Sequence, residues 1–552
     1  METLSTRTRL PILGALVVCM GLAWAQEAPP AETPAEEPEE TAEVKPTNHL
    51  VEIGYSAWTS RGNFQKWLQY GNPSKGLGIR RLELLFPGKD FAKLRLAGDL
   101  NRDSVAEGTL RLDQGRGLIK FSASRNLTHD PSPVLTERGF RNNYELDATY
   151  MLGRDTSVYF QHRQQSRQKD HVAPYDDART VTKTYNFGVD TIVSGGNLGV
   201  QFGDSRHYDR TGVLPKTVLH TTRVNYAHPV GETANLEGSA TYTRIEQPAK
   251  PVGEVRSLKL SGDWAINPLS TIFITVRRDD LDLPMVANNA VRQRFLTSVK
   301  FAQTLGVGNL TLGYQRKSSE RFRNDRTYVD VPTWDNVEAA LNGVLGNGLR
   351  YTVKGSWNHL QKQPTFQTED DSRGLYWDDR LKFSVSVRGG NDRFNGYASY
   401  GLRFDQNSAR DVEIKTHTIA LGGNYNVSTG ADLYFELLNE TSAARGLVSE
   451  TGLSLDSFFP SWTSIALGYS QAMGEKDAWS IGFNHTFARN DNPVFEYGGN
   501  IRMTQLTGQF NHTFSPTETL GIVVSPWRYD DKIDSSARYR ASVVSVSYTL
   551  KF

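Results

Sequence analysis

The amino-acid sequence predicts an all-β protein that forms one large transmembrane β-barrel. Apolar and polar residues alternate with a period of two along most of the chain, short turns alternate with longer polar connections, and the chain ends in an alternating segment with a terminal aromatic residue, Phe552. An α-helical membrane bundle is excluded because each spanning helix needs about 20 mostly apolar residues, whereas the mean hydropathy of this chain is −0.49.

The first 25 residues have the order of a secretory signal peptide. Arg7 and Arg9 precede a mostly apolar run over residues 10–22, which is followed by Ala23-Trp24-Ala25. We therefore expect cleavage after Ala25. The only cysteine, Cys19, lies in this segment, so the mature chain is expected to have no disulfide framework, thiolate zinc site or CxxCH haem attachment.

Residues 26–47 are predicted to form a disordered acidic tether. They contain five Pro and seven Glu against one Lys, and such a segment cannot bury enough apolar surface to become ordered. The remaining body, residues 48–552, is expected to be the barrel. It has 59 Lys and Arg against 53 Asp and Glu, an excess too small to indicate nucleic-acid binding.

Each predicted strand has one apolar face and one polar face. In residues 258–266, for example, Leu258, Leu260 and Trp264 alternate with polar residues. In a membrane barrel of this width, the apolar face contacts lipid and the polar face lines the lumen. The charged residues that we expect to face the lumen are Lys93, Arg95, Arg111, Lys120, Lys259, Asp263, Arg277, Arg350 and Lys354.

The connections between strands fall into two alternating kinds. Short segments such as 113–116, 194–197 and 346–348 carry the Gly, Asn and Asp that tight turns require, whereas longer polar links are predicted at 126–143, 165–180, 278–293 and 361–378. This pattern indicates about 26 antiparallel strands with short periplasmic turns and long extracellular loops. Two links depart from it: 101–104 is short for a loop, and 442–462 is long enough to contain another strand pair.

The C-terminal segment predicts insertion into the bacterial outer membrane. Its alternate apolar positions and its aromatic last residue resemble the β-signal with which the insertion machinery of that membrane pairs. These positions are Val544, Val546, Tyr548, Leu550 and Phe552. Closure of the barrel is also expected, because open sheet edges cannot be satisfied in hydrocarbon.

A search for catalytic and metal-binding motifs favours a protein that is not an enzyme and binds no metal or cofactor. The chain has no Walker loop, HExxH or nucleophile elbow. The five-residue segments 483–487 and 510–514 are identical, and each contains one histidine, but antiparallel pairing would place the two copies near opposite rims. The acidic run Glu369-Asp370-Asp371 has the oxygen ligands of a Ca²⁺ site, but we interpret it as a solvated loop tip.

About 26 strands close to a backbone diameter of roughly 50 Å, which side chains cannot fill. Barrels of about 22 strands usually contain a plug, but neither the acidic tether nor any internal insertion in this chain is expected to form one. An open hole of this width would defeat the outer membrane as a barrier. The sequence therefore predicts that the lumen houses a separate protein.

The signal peptide, short tether, roughly 26 strands, absent plug and terminal Phe552 together resemble the MtrB/PioB family of outer-membrane barrels. This resemblance implies an insulating sheath for a periplasmic multihaem c-type cytochrome, with a second cytochrome at the outer rim. The haem would belong to the partner. Two alternatives stay open, a passive porin for small solutes and a barrel for lipopolysaccharide export, although the latter resembles proteins with a large periplasmic β-domain and cysteines.

Overall fold

The computed structural model describes residues 49–71, 75–86, 92–98, 103–130, 137–169, 180–209, 215–284, 291–322, 328–362, 377–408, 411–445, 460–490 and 500–552. The predicted signal peptide and tether and the acidic run at 369–371 lie outside these ranges. None of the helices in the described ranges has the length and hydrophobicity of a transmembrane helix.

The described residues form 26 strands and one α-helix, so the predicted strand number is confirmed. Three short 3-10 turns lie at Asp113–Gly115, Gly346–Gly348 and Ser535–Ala537. The elements are β1 (His49–Gly62), α1 (Phe64–Gly71), β2 (Gly76–Phe86), β3 (Ala92–Gly98), β4 (Ser104–Leu112), β5 (Gly117–Asp130), β6 (Glu137–Met151), β7 (Thr156–Lys169), β8 (Thr180–Val193), β9 (Gly196–Asp209), β10 (Thr217–Val230), β11 (Ala234–Glu246), β12 (Gly253–Asn267), β13 (Ser270–Asp282), β14 (Val291–Leu305), β15 (Gly308–Phe322), β16 (Tyr328–Leu345), β17 (Leu349–Lys362), β18 (Asp379–Gly390), β19 (Phe394–Asn407), β20 (Val412–Ser428), β21 (Ala431–Arg445), β22 (Pro460–Met473), β23 (Asp477–Asn490), β24 (Asn500–Ser515), β25 (Glu518–Asp531) and β26 (Tyr539–Lys551).

The sheet is closed. Each strand pairs antiparallel with the next one in sequence, and β1 pairs with β26 from Leu50–Lys551 to Gly62–Tyr539. At one end of this seam the backbone N–H of Phe552 donates to the carbonyl of His49 at 3.0 Å, and the reciprocal bond measures 2.9 Å. Closure gives the first and last strands the backbone partners that sheet edges otherwise lack.

The register determines the width of the barrel. A path of paired residues that starts at Glu52 on β1 passes through every strand and returns to β1 at Ser56, four residues further along that strand. On the way the path moves ten residues along β10 (217–227) and twelve residues along β20 (414–426), both in the opposite direction along the barrel axis, so the three displacements add. The shear is therefore about 26 residues. With strands about 4.8 Å apart and about 3.3 Å per residue, this shear gives a strand tilt of about 35° and a backbone diameter of about 48 Å.

The two ends of the barrel differ, and we call them the short-turn rim and the long-loop rim. The short-turn rim carries tight connections such as Ser194-Gly195, whose φ angles of 51° and 78° fit a type I′ turn, which matches the twist of the flanking strands. The long-loop rim carries the connections that were predicted to be longer.

The boundaries predicted for those longer links were wrong. β5 continues to Asp130 and β6 begins at Glu137, so both strands extend into the predicted 126–143 link, and strands also extend into both ends of the 165–180 and 278–293 links. In the 361–378 link β17 extends to Lys362, whereas β18 begins at Asp379, directly after the predicted end. Polar sequence does not end these strands because ladder hydrogen bonds tolerate polar side chains on both faces outside lipid. In the 442–462 link, β21 reaches Arg445 and β22 begins at Pro460, and residues 446–459 lie outside the described ranges.

Helix α1 was not predicted, and it lies on the inner side of the long-loop rim. Asn63 caps it, because its Oδ1 accepts from the backbone N–H of Lys66 at 2.9 Å. Trp67 is 0% exposed and, with its neighbours, packs against Tyr529 and Tyr539. Its ring centroid lies 5.0 Å from that of Trp58 on β1. This aromatic cluster fixes α1 against the wall.

The connection between β25 and β26 also holds α1. The amide of Asn63 donates to the carbonyl of Ser536 at 3.1 Å. This connection contains the 3-10 turn Ser535–Ala537. Asp534 caps the turn by accepting a hydrogen bond from the backbone N–H of Ser536 at 2.9 Å. The Ser536 hydroxyl also donates to Asp534, and this bond is the main cause that lowers the pKa of the Asp534 carboxyl below its ordinary value.

Closure of the barrel predicts a specific disulfide between the first and last strands. The hydroxyl oxygens of Ser56 and Ser545 lie 2.8 Å apart, so the paired substitutions Ser56→Cys and Ser545→Cys place two thiols within bonding range. We expect cross-linking on oxidation, measured as an electrophoretic shift that a reductant reverses.

The matched control combines Ser56→Cys with Ser525→Cys. Ser525 lies on β25, one strand further from β1, and pairs with Val543 on β26. This variant should not cross-link within one chain. Equal cross-linking in the two variants, or none in the first, would contradict the closed seam.

Candidate functional site: the polar inner wall

The register places the nine predicted lumen residues on one face of the sheet, which we call the polar face. Lys93 lies opposite Thr109, which lies opposite Lys120, and Lys259 lies opposite Arg277. The same rows of paired residues connect Arg95, Arg111, Asp263, Arg350 and Lys354 to this face.

The polar face lines the interior of the cylinder. The depressions in the wall are lined mainly by side chains of this face, among them Glu338, Lys354 and Arg403. Helix α1 contacts the same face, since Trp58, Tyr529 and Tyr539 belong to it by register. The concave side of the sheet is therefore the polar side.

The outer face has an apolar band that ends well below the long-loop rim. On β12, Trp264 and Leu260 are each 58% exposed, and Arg256 follows them on the same face towards the long-loop rim. On β13, Val276 is likewise followed by Arg278. The band covers about eight residues per strand, or about 22 Å along the barrel axis at a tilt of about 35°, close to the ~25 Å band of transmembrane barrels.

Several of the predicted lumen residues take part in short-range polar contacts. Arg95 lies 3.3 Å from both Glu83 and Glu107. The Nε of Arg277 donates to Asp279 at 2.9 Å. Two other predicted lumen residues also have polar partners. Lys259 Nζ lies 3.8 Å from Glu237 Oε1, and the carboxylate of Asp263 accepts a hydrogen bond from the side-chain amide of Asn235 at 3.0 Å.

The other predicted residues differ in their surroundings. Arg111 pairs in register with Leu118 and takes part in a further interaction. No ion pair within the described ranges involves Lys93, Lys120, Arg350 or Lys354. The inner wall thus contains both internally neutralised cations and cations that face water.

Asp405, which was not among the residues predicted from the sequence, is the most buried acid of the inner wall within the described ranges. Asp405 is 1% exposed, and its carboxylate lies 2.6 Å from Arg403 and 3.3 Å from Arg380. The cross-strand pairing of β18 with β19 brings Arg380 and Asp405 together. Alternation places Asp405 and Arg403 on the same face of β19, but only the register between β18 and β19 identifies Arg380 as the second cation partner.

A second acid, Glu436, is held by two phenols. Tyr397 donates to its Oε1 at 2.6 Å, and Tyr434 donates to its Oε2 at 2.5 Å. The carboxylate is therefore bound by neutral donors and keeps its negative charge without a cation partner in its hydrogen-bond set.

Of the two identical histidine-containing segments, 510–514 lies at the short-turn end of the β23–β24 pair, whereas 483–487 lies nearer its middle and not at the opposite rim. His485 lies opposite Thr504, and its Nδ1 is 2.9 Å from the Thr504 hydroxyl. His512 lies opposite Asp477, with its Nδ1 2.7 Å from the carboxylate. The two imidazoles therefore have different partners and do not form one site.

No protein-family model matches the chain, and no curated protein matches it. Among solved structures, it is similar to the siderophore receptor PirA from Pseudomonas aeruginosa, with 11% identity and a TM-score of 0.41 over 92% of this chain and 81% of that one. It is also similar to the FrpB iron transporter from Neisseria meningitidis, with 9% identity and a TM-score of 0.46 over 80% and 82% of the two chains. The copper transporter OprC is also similar, with 10% identity and a TM-score of 0.46 over 91% of this chain and 80% of that one. Similarities this low support no inference about function.

The buried carboxylate of Asp405 predicts a measurable loss of stability on substitution. Asp405→Asn would leave Arg380 and Arg403 without their shared anion, and because both arginines are partly exposed we expect the free energy of unfolding to fall by about 1–3 kcal/mol. Denaturant titration of the folded barrel, followed by tryptophan fluorescence, measures the change.

The control is Glu440→Gln on the same face. Glu440 is exposed and accepts a long 3.4 Å hydrogen bond from Thr418, so its substitution should change stability by less than about 0.5 kcal/mol. If the control lost as much stability as Asp405→Asn, the ion pairs of Asp405 with Arg380 and Arg403 would contribute no more to stability than an exposed hydrogen bond.

Proposed function

We propose that this chain is an integral barrel of the bacterial outer membrane that sheathes a separate periplasmic protein, a multihaem c-type cytochrome. The observation that carries the proposal is a closed cylinder about 48 Å wide whose inner wall is polar and whose strand connections are too short to fill it. The chain itself would catalyse no reaction. It would insulate a path along which electrons pass through the partner's haems.

The outer face supports placement in a membrane. The exposed Leu260 and Trp264 would be an unusual surface in water but form part of a continuous apolar band in lipid. The charged residues beyond the band, Arg256 and Arg278, would then project above the bilayer at the long-loop rim. Together with the signal peptide and terminal β-signal expected from the sequence, this asymmetry favours short periplasmic turns and long extracellular loops.

The width of the lumen supports a protein guest. If side chains occupy about 6 Å on each side, roughly 35 Å stays open across the barrel. A folded domain of about 100 residues has a radius of gyration of about 13 Å, which corresponds to a sphere about 34 Å across. The lumen therefore matches a small folded protein in size and far exceeds what a single solute requires.

The connections between strands cannot supply that protein. The longest of them, between Lys362 on β17 and Asp379 on β18, has 16 residues, whereas independent domains have at least about 50. Within the described ranges, α1 is the only α-helix, and it lies against the inner side of the wall at the long-loop rim. An occupant of the lumen would therefore be a separate chain.

The identity of the guest rests on the resemblance to the MtrB/PioB family. Under this proposal the partners of the chain are outer-membrane lipid, the outer-membrane insertion machinery, a multihaem cytochrome in the lumen and a second cytochrome at the outer rim. A passive porin is the second candidate. The cations of the inner wall without a carboxylate partner favour it, since they would attract small anions into an open pore.

Purification separates these two functions. If the chain is a sheath, the barrel isolated in detergent from its native membrane should elute together with haem absorbance at a constant ratio to protein, and it should conduct ions in planar bilayers only after the cytochrome is stripped. A haem-free barrel with steady conductance as isolated would contradict the sheath and support the porin.

A further inference from the structure

Near the short-turn rim the inner wall has an open depression of about 910 Å³, lined by residues of strands β15 to β21. Arg350 on β17, Arg388 on β18 and Lys354 on β17 all line it. Arg350 and Arg388 are directly opposite each other in the register. Like charges in directly opposite positions destabilise a sheet unless something neutralises them.

The depression contains three cations and no carboxylate among its lining residues. Several cations elsewhere on the wall have acidic neighbours: Lys300 lies 2.6 Å from Glu338, and Arg403 lies 2.6 Å from Asp405. Within the described ranges, no ion pair or hydrogen bond involves the side chains of Arg350, Arg388 or Lys354. Positive charge is therefore concentrated here without internal compensation.

The acid next to this depression, Glu436, forms no ion pair with its cations within the described ranges. Both of its oxygens accept hydrogen bonds from phenols, one from Tyr397 and one from Tyr434, and both tyrosines lie at the edge of the depression. The phenol hydrogens are thus directed towards Glu436 and away from the cations. Glu436 is therefore held by the two phenols and not by the arginine pair.

Hydroxyl donors lie between the cations. Thr352 and Ser386 are paired in register, one row further from the rim than Arg350 and Arg388 and one row below Lys354, and both line the depression. Two guanidinium groups, an ammonium group and two hydroxyls therefore surround one water-filled space. Guanidinium groups in particular match the geometry of carboxylate and phosphate oxygens.

We propose that this depression is a binding site for a multiply charged anion, a ligand that presents carboxylate or phosphate groups at the short-turn mouth of the lumen. Arg350 and Arg388 would bind the anion together, and Lys354 would bind its far end. The site belongs to the wall itself, so the proposal does not depend on whether a cytochrome occupies the barrel.

The test uses the full-length barrel, purified without haem, and citrate and inorganic phosphate as probes. Isothermal titration at low ionic strength should show saturable citrate binding, because salt screens exposed charges. The double substitution Arg350→Gln and Arg388→Gln should weaken citrate binding by about tenfold or more, the effect of losing about 1.4 kcal/mol of binding free energy. Replacement of both arginines by lysine should give an intermediate affinity.

The matched control is Arg95→Gln with Arg277→Gln, which removes the same charge from elsewhere on the polar face. Its citrate affinity should stay within about twofold of the original. Absence of citrate binding to the original barrel, or equal weakening in the two double variants, would overturn the proposal. The folded state of each variant is checked by its electrophoretic mobility before and after heating.

A second arm identifies the source of the anion. If the barrel isolated with a bound cytochrome no longer binds citrate, the natural ligand is an acidic group of the guest. If it still binds citrate, the ligand is a small soluble anion. Both outcomes retain the site. The citrate titrations test the site, whereas the co-elution of haem with the purified barrel tests whether a guest is present, so the two proposals can fail separately.

Discussion

The structure depends on the requirement that every strand of a very wide sheet has two neighbours. A backbone N–H or C=O without a partner costs several kcal/mol in hydrocarbon, so a sheet that spans a membrane must close on itself. Here the pairing of β1 with β26 closes it, over the full length of the seam from Leu50–Lys551 to Gly62–Tyr539. With 26 strands and a shear of about 26 residues, closure creates a lumen too wide for side chains to fill. The polar inner face and the proposed guest both follow from that width.

A wide wet lumen changes what charged residues can do. In a packed core, cations such as Arg277 and Arg403 would be costly, but on this wall they are partly hydrated and paired with Asp279 and Asp405. Each of these two pairs lies within one strand and neutralises charge locally on the wall. The arginine pair at the short-turn rim departs from this pattern, and for that reason it is the part of the wall that suggests a ligand.

Much of the fold could be predicted from the sequence, because a period of two and the chemistry of tight turns are local signals. They gave the strand number, and they put residues as distant as Lys93 and Lys354 on one face. The long-loop ends of the strands could not be predicted, since above the membrane the outer face also becomes polar, as Arg256 and Arg278 show. Helix α1 was missed although Asn63 is a typical N-cap, and Phe64, Trp67 and Leu68 have helical spacing. Cross-strand contacts such as that of Arg380 with Asp405 depend on register, which single-strand alternation does not contain.

The central claim is that the closed cylinder is wet inside and lipid-facing outside. Cysteine labelling at two consecutive residues of β12 tests it most directly, with Leu260→Cys on the apolar face and Ser261→Cys on the polar face of the haem-free barrel in lipid vesicles. A water-soluble maleimide should modify Ser261→Cys rapidly and leave Leu260→Cys unmodified, whereas a membrane-soluble maleimide should reach Leu260→Cys. Equal reaction of both positions with the water-soluble reagent, or the reverse preference, would contradict the account.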